Sequence, residues 1–281
     1  MKRKNKTVIL DWSIFLFRSA YASIHTPAIP ITFTALSMII GNLKRIGLEP
    51  DDTVIVAMDG KGNWRKEFEP SYKGNRKEQR EKSGLDFDKI FKDFDSLIEE
   101  VDQATNWHVV KLDTIEADDI ASVCCKYEKF KDDDIVLVSY DSDWEQMWHY
   151  PNVKIFSPMT KRYKIKPSNF DVYKLIAKKI RKEVADNLVN PILSTKDFDK
   201  REKVINLLDL PEFVEEPIKE SLNNLSEKEI NVEKFPFDTL RNRFMTIYND
   251  GTESYEKSVK YYERKAKKLL KKNALKRGEK K

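Results

Sequence analysis

The chain has 281 residues, of which 35% are charged and 40% hydrophobic, and its formal net charge is +5. That length can bury one large core or two modest ones, and no apolar run is long enough to cross a bilayer as a helix. Cys124 and Cys125 are adjacent and poorly placed to pair, which excludes a disulfide scaffold, and His25, His108 and His149 lack the spacing of a zinc site.

The basic start, Met1 to Lys6, is followed by apolar residues that reach Asp11 within four positions and offer no small-residue cleavage site. A cytoplasmic protein is expected. The first strand, Thr7-Val-Ile-Leu-Asp11, ends on a carboxylate, and Trp12 to Arg18 begins a helix or turn packed back over the sheet. A mostly apolar helix over about 32–46 stops at Gly47. A second strand, Val54-Ile-Val-Ala-Met-Asp59, again ends on Asp, and the helix between the two makes a right-handed crossover and hence a parallel pair.

From Gly60 to Lys82 the composition changes to glycine, proline, aromatics and interleaved cations. The expectation is a surface loop. Trp64, Phe68 and Tyr72 are spaced four apart, so a helical form would carry an aromatic stripe beside Arg65 and Lys66. Such a stripe suits a nucleic-acid strand, with stacking for bases and cations for phosphates.

Asp86 to Ala104 has the periodicity of an amphipathic helix, and Trp107 to Leu112 reads as a short strand. Glu116-Ala-Asp118-Asp119 opens another helix, with Glu116 and Asp119 on nearly the same side. The most informative stretch is Asp134-Ile-Val-Leu-Val-Ser-Tyr-Asp141-Ser-Asp143, an unalternating apolar strand that stops at two acids. Both of its faces should be covered, as in a parallel sheet, and working groups gather at the carboxyl ends of such strands. A short helix over 144–148 and an edge strand over 151–156 follow.

Beyond Lys161 the pattern becomes helical, with segments at 172–182 and about 200–209, 214–224, 237–249 and 253–272. The expected fold is α/β, a mostly parallel central sheet flanked by helices over residues 1–160, with a smaller all-helical domain over 161–281. Residues 161–182 hold nine basic residues against one acid, and residues 257–281 hold twelve against two. These blocks point to a polyanionic partner.

Asp11, Asp59, Glu116, Asp118, Asp119, Asp141, Asp143, Glu183 and Asp186 are the acids at strand exits or on helix turns. Clustered carboxylates must hold protons or recruit cations. Oxygen donors without His or Cys select Mg²⁺, with Mn²⁺ as a substitute. Two such ions roughly 4 Å apart would serve phosphodiester cleavage.

Asp11, Ala57-Met-Asp59-Gly60, Phe68-Glu-Pro-Ser-Tyr72-Lys73-Gly-Asn75-Arg76, Glu116-Ala-Asp-Asp119 and Ser139-Tyr-Asp141-Ser-Asp143 together resemble the successive signatures of the 5′-nuclease, or flap endonuclease, superfamily. Tyr150-Pro-Asn-Val-Lys154 and Phe156-Ser-Pro-Met159 are similar to its phage ribonuclease H branch. The resemblance implies that Asp11, Asp59, Glu116, Asp119 and Asp141 hold one ion, with Asp118 nearby, and that Asp143, Glu183 and Asp186 serve a second. It implies an arch segment over 61–105, in which Tyr72, Lys73 and Arg76 contact the 5′ strand and Lys73 and Arg76 are catalytic, steadying the scissile phosphate.

The implied substrates are RNA/DNA hybrid, 5′-flap or nicked duplex, and the implied activity is 5′-to-3′ exonuclease and flap endonuclease, including removal of lagging-strand RNA primers in a phage. A monomer working with replication proteins such as a single-strand-binding protein, and with no membrane, is expected. Two departures stand out: Glu183 replaces the family's usual Asp, and Asn187-Leu-Val-Asn-Pro191 lacks the glycines of a helix-hairpin-helix. The alternatives are a PIN-type single-strand ribonuclease and a non-catalytic nucleic-acid-binding protein.

Overall fold

Alternate residues of three apolar strands go to opposite faces of one sheet, and this sorting builds two cores. The computed structural model describes residues 4–70, 72–74, 76–187 and 195–248. In chain order the elements are β1 (Lys6–Asp11), α1 (Trp12–Ser23), α2 (Ile31–Ile46), β2 (Thr53–Met58), α3 (Arg65–Phe68), α4 (Arg76–Glu81), α5 (Phe87–Ala104) and β3 (His108–Lys111). They continue with α6 (Ala117–Lys126), β4 (Asp134–Val138), β5 (Val153–Ser157), β6 (Arg162–Tyr163), α7 (Val172–Asn187), α8 (Thr195–Ile205), α9 (Glu212–Asn223) and α10 (Asp238–Met245). Short 3-10 turns include Asp143–His149.

The sheet order is β3-β2-β1-β4-β5-β6. All pairings are parallel except β5 with β6, a two-residue antiparallel strand that the sequence reading does not anticipate. Val8, Leu10, Val54, Val56, Val136 and Val138 face one core with α1, α2 and α5. Ile9, Ile55, Ala57, Ile135, Leu137 and Ile155 face the other with α6. Each fully buried aliphatic side chain of this kind contributes about 1.5–3 kcal/mol in transfer terms. The unalternating hydrophobicity of β1, β2 and β4 thus has its cause in two covered faces.

The chain runs from β1 outward to β3, then returns to the far side of β1 as β4. The β1/β4 junction is therefore the topological switch point, where an open α/β sheet leaves a crevice at its carboxyl edge. Asp11 closes β1, and one step beyond the Leu10 to Val138 pairing lies Ser139, leading to Asp141. Asp59 emerges from β2, the other neighbour of β1.

A domain boundary near residue 160 is expected from the sequence, and some of the helical residues beyond it pack on the cores of the sheet. Phe235, Leu240 and Phe244 join the core of α1 and α2, while Val214, Ile218 and Leu222 join the core of α6. This packing has a simple cause, since α9 and α10 each have one apolar stripe that needs a partner, and the sheet's flanking helices supply it, while Val172, Ile176, Ile180 and Ile205 of α7 and α8 form a cluster of their own. The helical segment expected at 253–272 lies outside the described residues, as does the basic tail. Among the described residues, no helix is long and apolar enough to cross a membrane.

Candidate active site

The carboxyl edge of the sheet holds a pocket of about 240 Å³ lined by Asp11, Asp59, Asp118 and Asp141, with Lys73 and Arg80 on its rim. Asp11 is nearly buried, at 4% exposure. Its Oδ1 accepts from Ser13 Oγ at 2.8 Å and its Oδ2 from Ser139 Oγ at 3.2 Å. Burial, and then the charges of Asp59 and Asp141, raise its pKa from 3.8 to about 7 against the pull of those two hydroxyls.

Asp59 is placed by backbone geometry. Gly60 N donates to Ile115 O at 2.8 Å, and a Cβ at Gly60 would lie 1.7 Å from Leu112 O, so only glycine permits this approach. The contact brings β2's exit against the start of α6, and Ala117 N donates to Asp59 Oδ1 at 2.9 Å. Asp141 is steadied by Asp143 N, which donates to its Oδ1 at 2.8 Å, and by Ser139 Oγ, which accepts from its backbone N at 3.0 Å.

The adjacent acids of α6 separate into two roles. Asp118 is half-buried and faces the pocket, and Trp144 Nε1 donates to its Oδ1 at 2.6 Å. Burial first, and then Glu116, Asp141 and Asp11, push its pKa well above the usual carboxylate range, although Lys73 opposes them. Asp119 is fully buried and turned away: it accepts from Trp64 Nε1 at 2.9 Å and from Arg65 Nη2 at 2.6 Å and Nη1 at 3.0 Å. Expected from the sequence as a ligand with Asp118 nearby, Asp119 thus bonds to Trp64 and Arg65, and it is Asp118 that lines the pocket. Consecutive helical residues point about 100° apart, so only one of the two can face the crevice.

Arg65, expected beside a nucleic-acid strand, is buried and paired. It is 1% exposed, its Nη1 donates to Glu116 Oε2 at 2.9 Å, and its Nε donates to Val204 O at 2.8 Å. Its guanidinium is a structural clamp joining α3, α6 and the end of α8. The aromatic stripe is likewise absent, because α3 ends at Phe68, Trp64 is 1% exposed, and Phe68 packs edge-on to Trp64 at 5.8 Å. Lys66 is exposed.

Tyr72 Oη donates to Glu116 Oε2 at 3.2 Å, and burial together with the Glu116 charge raises its pKa, so it remains a phenol at neutral pH. Lys73 Nζ pairs with Glu116 Oε1. Although burial acts upward, the Lys73 and Arg65 charges leave the Glu116 pKa below its ordinary value. Lys73 adopts φ 55, an unusual conformation for a side-chain-bearing residue, at the mouth of the acidic pocket.

Asp143 is half-buried and points toward α7, where Lys179 Nζ pairs with it and also donates to Ser142 Oγ at 3.2 Å. Glu183 and Asp186 fall on the last turns of α7, and their side chains, like that of Arg76, lie outside the described residues. No group of three or more His, Cys, Asp or Glu side chains is arranged to grip a single metal ion among the described residues. Ser13, Ser139, Trp144 and Lys179 were not singled out from sequence, and Trp64 was noted only as part of an aromatic stripe. Ser13 and Ser139 each stand two residues from a pocket acid, a spacing typical of local Asx and Ser/Thr turns, and that was the available signal.

Residues 6–183 match the model of the 5′-3′ exonuclease N-terminal, resolvase-like domain, and the chain belongs to this 5′-nuclease family. Among particular proteins, it is 32% identical over 140 residues to the ribonuclease H of Enterobacteria phage T4, a match covering 49% of this chain and 46% of that protein. The chain thus matches about half the length of that curated relative. Among solved structures, the flap endonuclease of bacteriophage T5 in a pseudo-enzyme-product complex with DNA and metal ions is 18% identical, with TM-score 0.52, covering 87% of this chain and 100% of that one. The same phage's protein co-crystallised with metal ions is 24% identical, with TM-score 0.52, covering 91% of this chain and 97% of that one. These two likenesses are of fold.

Proposed function

We propose that the protein is a divalent-metal-dependent 5′-to-3′ exonuclease and flap endonuclease that hydrolyses RNA or DNA from 5′ ends in duplexes. Removal of lagging-strand RNA primers during phage replication is the biological role we assign to it. The observation that carries the reading is the convergence of Asp11, Asp59, Asp118 and Asp141 on one pocket at the switch point, beside Lys73. Family membership supports it. The T4 relative is named a ribonuclease H, and the T5 protein was solved with DNA and metal ions.

The donors fit a hard cation, since all four acids offer carboxylate oxygen and the raised pKa values of Asp11 and Asp118 mark a site that welcomes positive charge. Among hard cations the proposal is Mg²⁺, which keeps several waters and needs only one or two direct carboxylates. Asp11, Asp59, Asp118 and Asp141 would hold one ion, partly through water, and Asp143, Glu183 and Asp186 a second. Bound there, the ions would activate a water and neutralise charge on the phosphate.

Lys73 would orient the scissile phosphate from the pocket wall, with its ammonium group paired to Glu116, which also accepts from Tyr72 Oη, and lying over the Tyr72 ring. Arg76 and Lys66 are assigned to the 5′ strand. The enzyme is proposed to act as a monomer in the host cytoplasm with replication proteins such as a single-strand-binding protein.

Cleavage mapping on 5′-labelled flap, nicked and RNA-primed duplexes tests the reading. Mg²⁺-dependent products released from the 5′ end, and none in EDTA, are expected. Cleavage confined to single-stranded RNA would replace this reading with that of a PIN-type ribonuclease, and binding without cleavage would leave a non-catalytic protein.

A further inference from the structure

Each of the two adjacent acids of α6 receives an indole N–H from a fully buried tryptophan, Trp64 for Asp119 and Trp144 for Asp118. The first of these bonds belongs to the Arg65 clamp. The second reaches the pocket. Trp144 directly follows Asp143 on the Asp143–His149 turn, whose first backbone N–H holds Asp141 Oδ1 at 2.8 Å.

We propose that Trp144 is a positioning residue: its indole N–H engages Asp118 Oδ1, leaves Oδ2 for the pocket's cation, and ties that acid to the turn carrying Asp141 and Asp143. The bond spans 26 residues of sequence and is 2.6 Å long. The ring itself is 0% exposed in the core under α6, so the donor cannot swing away from the carboxylate without disturbing its surroundings. The start of α6 and the turn after β4 are thereby held together. Outer-shell donors of this kind orient a ligand and set its affinity.

This inference rests on the proposed binding of a divalent cation, and its test separates the two. Mg²⁺ and Mn²⁺ binding is measured by calorimetry for wild type, Trp144→Phe and Trp107→Phe. Trp107 is also 0% exposed but lies in the opposite core against Phe244, so its replacement controls for a lost buried indole. Ion affinity should fall about tenfold or more in Trp144→Phe and stay within about twofold of wild type in Trp107→Phe, while both lose comparable urea resistance.

Equal affinity in wild type and Trp144→Phe would overturn the role of Trp144 alone. No ion binding by wild type would overturn the cation reading and this one with it. Should Trp144→Phe not fold, 5-fluorotryptophan labelling gives a second readout on the five tryptophans. One fluorine resonance should follow added Mg²⁺ in wild type and cease to follow it in Asp118→Asn. A spectrum in which no resonance distinguishes the two proteins would overturn the proposal.

Discussion

Arg65→Met removes a buried cation while keeping most of the side-chain volume, and it leaves Asp119, at 0% exposure, and Glu116, at 4%, without their shared partner. Breaking one side of a buried ion pair costs about 3–5 kcal/mol. Loss of the bond from Nε to Val204 O adds about 1 kcal/mol. Against a total stability of about 5–15 kcal/mol for an ordinary protein, such a variant should be close to unfolding.

Urea denaturation in EDTA at pH 7 measures this. The second variant, Arg65→Met with Asp119→Asn, should recover part of the loss because the charge left without a cationic partner is gone, Glu116 keeping Lys73. A loss below about 1 kcal/mol, as expected of an exposed arginine, would refute the clamp, especially if salt-dependent affinity for DNA fell instead.

The pH dependence of stability should carry the signature of Asp11. Its folded pKa of about 7 lies above the ordinary 3.8, so its stabilising contribution is complete below about pH 3.8 and is lost as pH rises through 7. At 1.36 kcal/mol per unit the span is up to about 4 kcal/mol, and Asp11→Asn should flatten the decline in metal-free urea titrations between pH 4.5 and 8; parallel wild-type and variant curves would contradict it. Gly60→Ala forces a methyl group against Leu112 O. It should destabilise by about 1–3 kcal/mol or more, while a neutral result in the same titration would show that the β2 exit is not held as described. Lys73→Ala should lower turnover about a hundredfold with cation affinity unchanged or tighter, since an ammonium leaves the acidic rim. Parallel loss of both in single-turnover kinetics and calorimetry would count against its place at the phosphate.

What was legible in the sequence follows from which signals are local. The runs of β1, β2 and β4 announce buried strands because no polar residue interrupts them, and their terminal acids fall at the crevice once the sheet is parallel. The choice between Asp118 and Asp119 was not legible. It is decided by Arg65 and Trp64, more than fifty positions away, and by Trp144 on a turn formed later in the chain.

The aromatic stripe failed for a related reason. Spacing of four marks a helical face only if the helix persists, and α3 ends at Phe68 before Pro70. The helices after residue 195 were visible as periodic stripes, but periodicity does not say which core they cover, and α9 and α10 pack on the two cores of the sheet.

Single-turnover cleavage of a 5′-labelled RNA/DNA duplex by wild type and by Asp141→Asn, with Mg²⁺ titrated from zero, bears most directly on the acidic pocket as a nuclease centre. Wild type should cut only as Mg²⁺ is added. Asp141→Asn should be slower by about a hundredfold or more, beyond the usual effect of outer-shell partners, with its fold and duplex affinity retained. Equal rates in the two proteins, or cutting by wild type at zero Mg²⁺, would contradict the account.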